Sequence, residues 1–75
     1  NDKYNEYILT NLRTRWGVSL RTMNEQFGDK AVENFMRTAQ RFISSKKLVQ
    51  KNDIYTLTTE GFFVSDNIIS EFIII

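Results

Sequence analysis

Apolar residues recur at Tyr4, Ile8, Leu12 and Trp16, with Leu9 beside them, and this spacing predicts a first helix with one buried stripe. Gly17 fits the left-handed position after the last turn of such a helix, and Val18 would then fold back on Leu12. Ser19 reads as the N-cap of a short second helix, with Val18 before the cap and Met23 after it as a hydrophobic staple. Leu20, Met23 and Phe27 line its inner face, and Gly28 stops it. A third helix capped by Asp29 gathers Ala31, Val32, Phe35, Met36, Ala39, Phe42 and Ile43 within about 140° of arc. Its other face carries Lys30, Glu33, Asn34, Arg37, Gln40, Arg41 and Ser44.

The pattern then changes period. Leu48 to Lys51 and Ile54 to Leu57 read as two short strands around Asn52-Asp53, a pair suited to a type I′ turn. The two-residue loop sets Leu48 opposite Leu57 and Gln50 opposite Tyr55 on the core face, and Val49 opposite Thr56 and Lys51 opposite Ile54 on the other. Thr58 caps a fourth helix that runs to about Phe72. Gly61 in its first turn implies a close approach of neighbouring backbone. One half of that helix holds Phe62, Val64, Ile68, Ile69, Phe72 and Ile73; the other holds Asp66, Asn67, Ser70 and Glu71, with Phe63 and Ile74 among them. The expectation is a small α+β, winged-helix-like domain of three helices, a hairpin and a C-terminal helix.

Composition narrows what such a domain does. With 75 residues it is one domain, read here as cut from a longer parent, and one this small buries only roughly 60 to 65% of its unfolded surface. It has no cysteine and no histidine, which excludes disulfides, the usual zinc sites and an iron–sulfur cluster held by this chain. The usual general base and thiol nucleophile are also missing, and no carboxylate pair has a spacing that suggests shared acid–base work. A net charge of +1, with both signs interspersed, is not the footprint of a strong nucleic-acid binder. No signal or transit peptide is visible, and the closing apolar run is far shorter than the roughly 20 residues of a membrane span.

The pieces Glu6-Tyr7-Ile8-Leu9, Leu12-Arg13-Thr14, Gly17-Val18-Ser19-Leu20, Phe27-Gly28, Tyr55-Thr56-Leu57-Thr58, Gly61, Val64-Ser65-Asp66 and Ile68-Ile69 stand in a telling order. In order and spacing they resemble the C-terminal domain of the oxygen-independent coproporphyrinogen III oxidase family, most closely its heme-chaperone-like branch. The sequence departs from that pattern where the family often has a glycine before the first hairpin strand; here Lys47 stands there. The resemblance implies a cytoplasmic parent with a radical S-adenosylmethionine barrel whose Cys-x3-Cys-x2-Cys motif holds a 4Fe–4S cluster. Such parents either decarboxylate coproporphyrinogen III or bind heme and pass it on, and the C-terminal domain packs on the barrel and helps cover its open end.

Candidate contacts with that barrel are Phe63 and Ile74, which have no place in the core, and Arg13 and Arg15 near the end of the first helix. Met23 and Met36 are conceivable heme ligands, but both lie on apolar helix faces where methionine fills gaps. Tyr4 and Tyr55 read as packing residues, and Tyr7 lies off its helix's stripe and reads as exposed. The competing function is DNA binding through the third helix, whose polar face offers Arg37 and Arg41 with Lys46, Lys47 and Lys51 nearby. Glu33 at the reading end of that helix and Asp53 at the hairpin tip oppose it by repelling phosphate.

Overall fold

A computed structural model describes residues 2–73. The elements run α1 (Asp2–Asn11), β1 (Val18–Ser19), α2 (Leu20–Phe27), α3 (Asp29–Ser44), β2 (Leu48–Lys51), β3 (Ile54–Leu57), α4 (Thr59–Phe63) and α5 (Ser65–Phe72). The fold is α+β, with helices packed on a small antiparallel sheet of order β1-β3-β2.

The first helix ends earlier than its apolar stripe predicts. Thr14 directs both its backbone N–H (3.1 Å) and its hydroxyl (2.9 Å) at the carbonyl of Asn11, which closes a turn in place of another helical step. Leu12 is still buried, but Trp16 swings off the stripe and is 72% exposed. Gly17 does adopt a positive φ of 73°, yet its setting is the entry to a strand rather than a helix cap. A Cβ there would lie 2.5 Å from the carbonyl oxygen of Tyr55, so the glycine lets β1 lie against β3. This third strand, with Val18 opposite Tyr55 and Ser19 opposite Ile54, is absent from the sequence reading because two residues carry no periodicity.

Ser19 serves as both the last strand residue and the N-cap of α2, its hydroxyl accepting from Thr22 N at 3.2 Å. Asp29 does not cap α3. Gly28 holds the cap position at φ 90°, and the Asp29 carboxylate turns sideways to accept from Asn24 Nδ2 at 2.7 Å. Along α3 the buried strip is narrower than the apolar one: Phe35 and Ala39 are fully buried and Met36 is 46% exposed.

The hairpin has the predicted register at all four pairs, and Leu48 and Tyr55 on the predicted face are buried. Its turn differs. Only Asn52 has a positive φ, as in a type II′ rather than a type I′ turn. Asp53 is instead bound to α2: its carbonyl accepts from Leu20 N (2.9 Å), and its carboxylate from Ser19 Oγ (3.1 Å) and Arg21 N (3.3 Å).

The fourth predicted helix is two helices. Val64, at φ −117° and ψ 30°, separates α4 from α5. Thr58 caps α4 as expected, accepting from Gly61 N at 3.1 Å while donating to the Lys46 carbonyl at 2.8 Å. A Cβ on Gly61 would collide with the Lys47 carbonyl, so α4 is held tight against the chain that leads into β2. The following helix has a different task, since Ile68, Ile69 and Phe72 must reach α1 and α3. The break reconciles the two directions and leaves Phe62 (56%) and Val64 exposed, against the single-wheel expectation.

One cluster contains all the buried apolar side chains described. At its centre Phe35 stacks on Phe72 (4.7 Å between centroids) and meets Tyr55 edge-on (5.2 Å). Tyr4 meets Phe27 edge-on at the far end. Burial pushes the Tyr4 phenol up to about 12 and raises that of Tyr55. Tyr7 is half-buried rather than exposed, and its hydroxyl accepts from Ser19 N at 3.0 Å.

Candidate docking surface

The irregular segment that follows α1 lies beside the short helix α4. Leu12, Arg13, Thr14 and Arg15 form one wall of an open groove, Phe62 the other, and Thr56 and Leu57 of β3 its floor. The turn at Thr14 lifts the first wall out of α1, and the anchoring of α4 by Gly61 sets the second. Phe62, 56% exposed, lines the groove, and two more exposed aromatics directly follow lining residues in the chain: Trp16 (72%) after Arg15 and Phe63 (82%) after Phe62. Burying large aromatic side chains of this kind is worth on the order of 1.5–3 kcal/mol each. Three left open on the segments that wall one groove make this face the candidate docking surface.

The charges here are unequal in standing. Arg13 forms an ion pair with Asp66 at the start of α5. Arg15 places its guanidinium over the Trp16 ring, 5.8 Å from the centroid, and has no carboxylate partner among the described residues. No carboxylate lines the groove. Of the residues anticipated from sequence, Arg13 and Arg15 line the groove, Phe63 follows the lining residue Phe62 and is exposed, and Ile74 lies outside the described residues. Phe62 in the groove and Trp16 beside Arg15 are both exposed, although the sequence reading assigns them to the core because both keep helical spacing. The signal that separates them is local: a threonine two residues before the tryptophan, and a glycine just before the phenylalanine.

The face considered for DNA is occupied differently. Glu33 stands 3.9 Å from Arg37, and Glu71 of α5 holds Arg41 at 2.7 Å. Asp53 ties the hairpin tip down on α2, so the tip does not project as a free wing. Hydrogen bonds from Arg21 N and the Ser19 hydroxyl lower the pKa of that carboxyl, which keeps a negative charge at the tip. Met23 is fully buried in the core, and Met36 lies half-exposed on α3. Among the described residues no polar or charged side chain is buried and no cluster of carboxylates has metal-binding geometry.

Comparison with known families decides the relationship: the HemN C-terminal domain matches residues 1–64. The chain belongs to this family. The matched span of the HemN C-terminal domain includes the whole groove and ends on Val64, the residue at which α4 gives way to α5. No curated protein and no solved structure matches the chain.

Proposed function

We propose that this HemN C-terminal domain is a docking module without chemistry of its own. It is the C-terminal accessory part of a radical S-adenosylmethionine protein of porphyrin or heme metabolism, and it seats on that protein's barrel and helps cover its open end. The observation that carries the reading is that Trp16, Phe62 and Phe63 are exposed on the two chain segments that wall one groove, in a domain whose other aromatic side chains pack inward. The parent is an oxygen-independent coproporphyrinogen III oxidase-like enzyme or a heme chaperone of the cytoplasm. The motif order lies closer to the chaperone-like branch.

The parent's 4Fe–4S cluster does not fit this chain. It requires thiolates, and the chain has no cysteine, so cluster and S-adenosylmethionine belong to the barrel. Heme reaches the domain only through the parent. The sole methionine on an open face, Met36, lies on α3, apart from the residues that line the groove.

Phe63→Asp tests the docking reading. The melting point of the 75-residue chain should change little, equivalent to within about 0.5 kcal/mol, as for a surface site. In the full-length protein the same change should speed hydrogen exchange across residues 62–64 and 12–16. A melting-point loss as large as that of Phe35→Ala, about 3–5 kcal/mol, would assign Phe63 to the core and end the proposal.

A further inference from the structure

The docking surface carries a requirement on its partner. Arg15 lines the groove with Phe62, and its guanidinium lies over the Trp16 ring, 5.8 Å from the centroid, so an apolar surface that covers Phe62 and Trp16 also takes that guanidinium out of water. A buried guanidinium without a counter-charge is strongly unfavourable. Arg13 already has Asp66. Arg15 has no carboxylate among the described residues, and none lines the groove to be recruited.

We infer that the groove between residues 12–16 and α4 seats an acidic protein segment, one that presents a carboxylate to Arg15 between apolar side chains covering Trp16 and Phe62. The segment belongs to the protein body on which the domain docks, so the inference rests on the docking proposal. A guanidinium carries its N–H groups in its own plane as a fork that takes a carboxylate through two parallel hydrogen bonds. A second copy of the chain is a poor occupant. Its matching groove is equally free of lining carboxylates, and a two-fold pairing would bring like-charged arginines together.

The test uses the full-length protein in two arms. The first compares hydrogen exchange at residues 12–16 and 62–64 in Arg15→Gln and wild type, at low and high salt. Arg15→Gln should raise exchange there by roughly tenfold or more, since removing one partner of a desolvated charge pair is costly. The second arm treats Arg15→Lys with a zero-length carbodiimide, which joins an amine only to a carboxylate in contact with it. A cross-linked peptide joining position 15 to an Asp or Glu of the body supports the inference. Protected segments with no such cross-link, and exchange unchanged in Arg15→Gln, would overturn it while leaving docking intact. Segments already unprotected in wild type would overturn both. Retention of nucleic acid by wild type but not by Arg15→Gln would also overturn it, by giving Arg15 to a phosphate.

Discussion

Lys46 has a φ of 65°, an unfavourable conformation for a residue with a Cβ, and it is the price of a complete helix cap. Its N–H bonds to the Ile43 carbonyl at 3.0 Å and that of Lys47 to the Phe42 carbonyl at 2.8 Å, the paired bonds of a Schellman motif. The missing glycine thus shows its effect one residue before Lys47, at the position that is left-handed. Lys46→Gly should stabilise the chain by about 0.5–1 kcal/mol and raise Tm by a few degrees, because the relief of strain exceeds the added freedom of the unfolded chain. Asp53 gives a prediction in pH. Its folded pKa is lowered by the Arg21 N–H and the Ser19 hydroxyl, so its contribution is fully present above the ordinary carboxylate value of about 4 and is lost as pH falls through the folded value. In urea unfolding, Asp53→Asn should be less stable than wild type at pH 7, with the gap closing toward pH 3. Caps at Ser19 and Thr58 were legible in the sequence because each is a local side-chain to backbone bond. The tether of Asp53 was not, because its partners are far away along the chain.

Periodicity located the helices and the hairpin but not where two of the helices stop. The hairpin register followed from a two-residue loop and alternating burial, and all four pairs form. The end of α1 and the division of the last helix were hidden because Trp16, Phe62 and Val64 keep apolar spacing through the breaks. What ends each helix is a hydrogen bond or a packing constraint that no hydropathy pattern encodes. The groove is built at those breaks, so the site was less legible than the fold. Gly61 separates two physical effects. Helix propensity alone favours alanine over glycine by about 0.5–1 kcal/mol, whereas the Lys47 carbonyl leaves no room for a methyl group. Gly61→Ala should therefore destabilise, by about 1–3 kcal/mol in chemical denaturation, with β2 and α4 losing amide protection together.

Over the whole molecule, α5 is the element that completes the core although it lies beyond the family match at residue 64. Phe72 stacks on Phe35 and leans on Phe42, and Ile68 and Ile69 are almost wholly buried. Phe72→Ala should cost about 3–5 kcal/mol, a large part of the stability a domain of this size has. Calorimetry should show a correspondingly lower and broader transition. The ion pairs Arg13–Asp66 and Arg41–Glu71 hold α5 at its two ends but are exposed, so they position it more than they stabilise it. The bond from Ser19 N to the Tyr7 hydroxyl bears on a different hazard. Leu20 N points toward β3, to the Asp53 carbonyl, so by alternation Ser19 N points away from the sheet at the outer side of β1. An open donor there is a template on which an extended strand from a neighbouring molecule can add. The phenol closes that edge, so the protein is guarded on this side against polymerising through its sheet.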